Sequence, residues 1–210
     1  MDLHFLGLLW ILWCMLHSLM ITRTVTGFLA GMLGDMFKYY RIFYNITAVI
    51  TLLPLLVLTR NMHSEAVFVW QGYWLIARIL LLAAAALLFW AGARRYDMGY
   101  FLGIRQVLSG TAHTLLSDSE EFSTIGVFGL TRHPWYLASF LLIWSILPAY
   151  APTDLVVAAV LSLYLLVGTV LEEGKLLAEY GDRYRSYQRQ VSMLLPWKWL
   201  QAKVKGIFRP

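Results

Sequence analysis

Five stretches of this 210-residue chain are apolar over nearly the length needed to cross a lipid bilayer, and that limits its fold more than any other feature. A crossing takes about 20 mostly apolar residues to cover roughly 30 Å of hydrocarbon. Only helices or closed barrels satisfy the backbone there. The stretches are Leu3–Ile21, Ile42–Thr59, Tyr73–Gly92, Trp135–Tyr150 and Leu155–Leu171; the fourth is short and carries Pro148 near its outer end. Hydrophobic residues make up 60% of the chain and charged residues 14%, against about a quarter charged in soluble domains. The expectation is an all-α integral membrane protein of one domain, residues 1–210, with about five transmembrane helices plus interfacial and cytoplasmic helices. The first stretch has no basic flank before it and no small-residue cleavage site after it, so it is read as a span rather than a signal peptide.

Lysine and arginine orient the bundle. Arg23, Lys38 and Arg41 fall between spans one and two, and Arg94, Arg95, Arg105 and Arg132 between spans three and four. Lys175, Arg183, Arg185, Arg189, Lys198, Lys203, Lys205 and Arg209 follow span five, so fifteen of the seventeen basic residues share one side. Arg60 falls on the other side and Arg78 in the outer part of span three. The positive-inside rule then predicts an outer amino terminus and a cytoplasmic carboxyl terminus, as in a bacterial inner membrane. The net charge of +5 is accounted for by this asymmetry and by attraction to anionic membrane lipid. No nucleic-acid partner is called for. Cys14, the one cysteine, allows neither an internal disulfide nor a cysteine metal cluster. The five histidines lack ligand spacing, so no metal is expected.

The outer connections are short and the inner ones long. Residues 22–40 mix apolar positions at helical spacing with Gly27, Gly31 and Gly34, a pattern for a segment lying in the interface. The inner connection from Arg94 to Arg132 is unusually long for a connector. Its apolar piece Tyr100–Leu116, broken by Gly103 and Gly110, has the character of a segment dipping into the membrane beside protein. Glu172–Arg189 reads as a solvated continuation of span five.

Chemistry-bearing residues gather on the inner side. Gly129-Leu130-Thr131-Arg132-His133-Pro134-Trp135-Tyr136 leads into span four, with proline suited to a first helical turn. Such a helix start presents amide donors and a positive dipole end to a carboxylate or phosphate. Arg132 adds a planar cationic fork, and His133 and Tyr136, three apart, share a face. Each residue alone also suits headgroup anchoring; as a set they point to a site. Glu172-Glu173 stands where span five ends, and a carboxylate at such a boundary is a functional candidate. Further polar candidates are His17 with Ser18, Arg41, Tyr44 and Asn45, Tyr96 with Asp97, Arg105 with Gln106, and His113.

At these residues the chain resembles the isoprenylcysteine carboxyl methyltransferase superfamily of membrane methyltransferases. GLTRHPWY matches its RHPxY element, and LEEGKLLAEYGDRYRSYQRQVSMLLP its Glu-Glu pair and Gly-x-x-Tyr-x-x-Tyr element, with Gly181, Tyr184, Tyr187 and Pro196 in place. The match covers about the last ninety residues. The amino-terminal half, with His17-Ser18, YRIFYN and YDMGYFLGIRQ, looks closer to the NnrU-type branch, which includes enzymes methylating methanethiol. The resemblance implies S-adenosylmethionine as cofactor, with residues 1–93 supplying spans one to three and 94–210 the cofactor-binding and catalytic part. It implies cofactor contacts at His113, Phe128, His133, Pro134, Trp135, Tyr136 and Glu173, and in the stretch Glu120–Ser123. Glu172 matches the glutamate at the reaction centre, and Arg132 is carried with it as a catalytic candidate. Glu172 is expected either to accept a thiol proton or to stabilise the sulfonium. Gly168 replaces an arginine those enzymes use toward the substrate, which favours a small or lipophilic thiol over a prenylcysteine carboxylate. From other classes, an NADPH-dependent membrane reductase and a non-catalytic binding or transport protein also fit the hydropathy. Oligomeric state is left open.

Overall fold

In the computed structural model, residues 2–62, 64–109 and 126–207 are described, with side chains to residue 204 in the last helix. The helices are α1 (Leu3–Met20), α2 (Arg23–Leu33), α3 (Tyr40–Asn61), α4 (Tyr73–Ala93), α5 (Met98–Leu102), α6 (Ile104–Ser109), α7 (Val127–Leu130), α8 (Pro134–Ile143), α9 (Pro152–Gln190) and α10 (Trp197–Ile207). A 3-10 turn, Gly34–Tyr39, joins α2 to α3, and Phe68–Val69 (β1) pairs antiparallel with Ala149–Tyr150 (β2). The fold is that of an all-α integral membrane protein. Four helices are long and apolar enough to cross a membrane: α1, the continuous run Arg23–Asn61, α4 and α9. Their outward faces are apolar and exposed, Leu80 and Leu87 on α4 at 64% and 63% for example. Faces of that kind suit lipid rather than water.

The fourth expected span differs from its sequence reading. Its helix, α8, stops after 10 residues, about 15 Å at 1.5 Å per residue, half the hydrocarbon thickness. The chain then turns through residues 144–148 into β2. Arg78 of α4 answers the carbonyls left at this end: its Nε donates to Ser145 O at 2.9 Å and its Nη2 to Ile146 O at 3.0 Å. A cation inside an apolar helix is thereby explained, because backbone leaving a helix in lipid must find partners.

Two compact units make up the chain. The first takes its described residues from Met1–Val69, Tyr96–Ser117 and Ala149–Leu161, the second from Trp70–Arg95, Asp118–Pro148 and Ser162–Pro210. In the first, Leu6, Trp10 and Cys14 are buried at four-residue intervals along α1. Indole donors tie α1 to α3, Trp10 to Thr59 Oγ1 at 3.1 Å and Trp13 to Thr51 Oγ1 at 3.0 Å. Asp97 caps α5, its Oδ1 accepting from Gly99 N at 2.9 Å, and pairs with Arg105 at 2.7 Å. At Gly103 (φ +92°) a Cβ would stand 2.9 Å from the backbone nitrogen of Ile42, so the close approach of α5 to α3 requires glycine. Tyr100–Leu116 is described as far as Ser109 and forms two short helices, α5 and α6, hinged at that glycine.

In the second unit α4 and α8 pack around Leu88, Leu137 and Ala138, joined by Phe89, Val127, Leu130, Leu141 and Leu194. The helix α9 runs for 39 residues but breaks at Gly181 (φ +53°, ψ −126°). In a straight helix the 11 positions from Glu173 to Tyr184 would span about 16 Å. With the break, the last segment folds back against the first, and Tyr184, Tyr187 and Val191 make a second buried cluster.

Candidate active site

The site in the second unit is built on the segment entering α8. Thr131–His133 runs extended beside Ser192–Met193, with Arg132 N donating to Ser192 O at 2.9 Å and His133 N to Met193 O at 3.2 Å. Thr131, fully buried, adds a hydroxyl bond to Met193 O at 2.8 Å. Pro134 then takes the first helical position, where its missing N–H costs nothing. Tyr187 OH holds the carbonyl of Phe128 at 2.7 Å from the folded-back segment.

At the centre lies the Glu173 carboxylate. Arg132 grips it as a fork, Nε to Oε1 at 2.9 Å and Nη2 to Oε2 at 2.5 Å. His133 Nε2 meets Oε1 at 2.6 Å, Gln188 Nε2 donates to Oε2 at 2.8 Å, and Tyr184 OH donates to Oε1. The remaining Arg132 nitrogen, Nη1, donates to Gln188 O and Val191 O. Glu173 stands beyond the apolar run ending at Leu171. Burial raises its carboxyl, but the bonds from His133, Arg132, Tyr184 and Gln188 outweigh that and hold it well below the ordinary range. Burial and the adjacent carboxylate push the Tyr184 phenol well above its ordinary range, so it stays a donor. Five donors thus converge on the two oxygens of this carboxylate.

Glu172, next in sequence, is different. Its side chain is 41% exposed, and its Oε2 lies 3.9 Å from His133 Nδ1. That is too far for a direct hydrogen bond and short enough for one bridging group. Because the Nε2 side of His133 faces Glu173, Nδ1 is the ring atom turned toward Glu172. The Tyr136 ring stands edge-on to His133, centroids 5.5 Å apart at 89°. Across from it is Gly168 of α9, where a Cβ would sit 3.4 Å from Tyr136 Cε1 and 3.6 Å from its hydroxyl. Trp135 points the other way, into α4: its indole donates to Phe89 O at 3.2 Å and lies over Gly92, where a Cβ would clash with it.

The structure thus brings Arg132, His133, Pro134, Tyr136, Glu172 and Glu173 together. Trp135 and the Phe128 carbonyl are engaged with α4 and with Tyr187. His113 and Glu120–Ser123 lie outside the described residues. Gln188 was not singled out in the sequence; its signal was its position, four residues beyond Tyr184 on the folded-back helix. In the first unit, His17 Nε2 lies 2.7 Å from Tyr44 OH, while Arg41 and Asn45 donate to the carbonyl of Phe101. Among the described residues no group of three His, Cys, Asp or Glu side chains is placed to hold a metal.

The methanethiol S-methyltransferase 1 of Bradyrhizobium diazoefficiens is 40% identical over 78 residues, 37% of this chain and 27% of that protein. The methanethiol S-methyltransferase of Pseudomonas deceptionensis is 32% identical over 130 residues, 59% of this chain and 49% of that protein. That of Mycobacterium tuberculosis is 34% identical over 122 residues, 52% and 47% of the two. The chain spans half or less of the length of these curated relatives. No solved structure matches it. These similarities accord with the resemblance to the isoprenylcysteine carboxyl methyltransferase superfamily. A family profile matches residues 29–191, most of the chain, and by that match the chain belongs to the family described as "Protein of unknown function (DUF1295)".

Proposed function

We propose that this chain is a membrane methyltransferase that binds S-adenosylmethionine and methylates a small or lipophilic thiol. The observation that carries the reading is the pairing of a saturated latch, Arg132–His133–Glu173, with an unsaturated edge, Glu172 and His133 Nδ1, beside Gly168 and the Tyr136 ring. The names of the relatives, methanethiol S-methyltransferases, support the substrate class.

The residues fit the cofactor. The start of α8 at Pro134 suits a carboxylate, since helix amino termini leave amides without intrahelical partners. The Tyr136 face and the Glu172 carboxylate suit a sulfonium cation. Gly168 lets the Tyr136 ring lie against the α9 backbone, a Cβ there standing 3.4 Å from its Cε1. When bound, S-adenosylmethionine supplies an electrophilic methyl group. In this reading Arg132 and Glu173 are positioning residues that fix His133 and the α8 start, and residues from 94 onward carry the machinery. Glu172 takes the proton of the substrate thiol, because the thiolate is the nucleophile and a free thiol has a pKa near 8.5. Gly168, one turn before Glu172 on the same face, admits a compact acceptor and offers no cation to a prenylcysteine carboxylate. The amino terminus lies outside and the site on the cytoplasmic side, from the lysine and arginine asymmetry.

Binding to detergent-purified protein tests the reading. S-adenosylhomocysteine binds at micromolar concentration, about −8 kcal/mol, and NADPH does not; Tyr136→Ala weakens binding about tenfold, roughly 1.4 kcal/mol. A panel of thiols, a prenylcysteine and a phospholipid amine then identifies the acceptor by mass spectrometry. Turnover of the prenylcysteine alone overturns the thiol assignment.

A further inference from the structure

The helix α10 is not used by the chemistry above, and its two sides differ sharply. Toward the protein, Lys198 Nζ donates to Gln188 O at 2.6 Å and to Arg189 O at 3.1 Å, and Lys198 N donates to Ser192 Oγ at 2.9 Å. Away from it, Trp197 (65% exposed), Leu200 (43%) and Val204 (51%) form an apolar stripe at three- and four-residue spacing. Trp199 and Lys203 border the stripe, the Lys203 ammonium 5.8 Å from the indole centre. The helix sequence WKWLQAKVKGI contains three lysines and no acidic residue.

We propose that α10 is an interfacial helix that seats its Trp197–Leu200–Val204 face in the surface of the membrane the chain spans, with a preference for anionic phospholipid. An apolar face bordered by tryptophan and lysine, with low overall hydrophobicity, is the pattern of a helix lying in the headgroup zone. The charge complementarity is one-signed: Lys203 is exposed at the border, and no carboxylate on α10 opposes it. Continuity supplies the location, because α10 follows the membrane-crossing α9 after six residues. Seating also bears on the site. Lys198 and Ser192 tie α10 to the segment whose carbonyls receive Arg132, and Gln188 bonds Glu173. Lipid contact at α10 therefore orders the closing side of the latch, whatever methyl acceptor the site takes.

The test uses the full chain in nanodiscs, with Cys14→Ala and single cysteines at positions 197 and 200 to 204 carrying a nitroxide. Collision with oxygen and with a water-soluble nickel complex is measured in phosphatidylcholine, with and without phosphatidylglycerol. The probes at 200 and 204 should show at least about twofold higher oxygen-to-nickel accessibility than the probe at 202, rising when phosphatidylglycerol is present. Lys203→Glu with Lys205→Glu should abolish that rise and keep the periodicity. Uniform access to nickel at all positions overturns the proposal. So does protection that appears equally in micelles and grows with protein concentration, which would assign the face to a second copy.

Discussion

Glu172 and Glu173 are the same residue type one position apart, yet they stand in opposite environments. Glu173 is buried, with side-chain exposure of 10%, and receives five hydrogen bonds from Arg132, His133, Tyr184 and Gln188. Glu172 is half-exposed and only approaches His133 Nδ1. A step of about 100° around a helix thus separates a carboxylate consumed by the fold from one left partly exposed. A buried charge is tolerable when every lone pair is matched, and such a group has no chemistry to spare.

The contrast is broken most forcefully by removing each carboxylate in turn. Glu173→Ala strands the Arg132 guanidinium and should cost about 3–5 kcal/mol, seen as a lower thermal transition in detergent; Glu172→Ala should stay within about 0.5 kcal/mol. Equal losses would erase the distinction. Gly92→Ala probes the far wall of the same unit. Its Cβ would clash with the Trp135 indole, which must shift, at about 1–3 kcal/mol.

The difference should also be visible in acid. Glu173 has a folded pKa below its unfolded value, so its contribution is full above the unfolded value, about 4.3, and is lost as pH falls through the folded one. Unfolding followed against pH should show this loss in the parent chain and in Glu172→Gln, and a flatter acid limb in Glu173→Gln. The smallest effect concerns the folded-back segment: Tyr187→Phe gives up its bond to the Phe128 carbonyl and should cost about 1 kcal/mol.

How much of this was legible in the sequence varies by region. Spans α1, α3, α4 and α9 follow from length and apolarity alone, and the α8 start from the proline at position 134. The stop of α8 at Ile143 was not legible, because the apolar run continues to Tyr150. What makes that end tenable is a residue of another helix, Arg78, which donates to the carbonyls of Ser145 and Ile146. At the site, the convergence of Arg132, His133, Tyr136 and the two glutamates was readable from spacing and resemblance. The unlike environments of the two glutamates were not. They depend on the break at Gly181, which returns Tyr184 and Gln188 to one glutamate and not the other. Positive φ at one glycine is a local event with a long-range result, and a linear reading has no measure of it.

The central claim is that Glu172 acts on the substrate and Glu173 holds the site. It is tested most directly by turnover of methanethiol by Glu172→Gln, measured beside its melting temperature and its affinity for S-adenosylhomocysteine. The account predicts an unchanged transition, affinity within about twofold of the parent, and turnover reduced by about a hundredfold or more. Full turnover in Glu172→Gln, or loss of its folding transition, would contradict it.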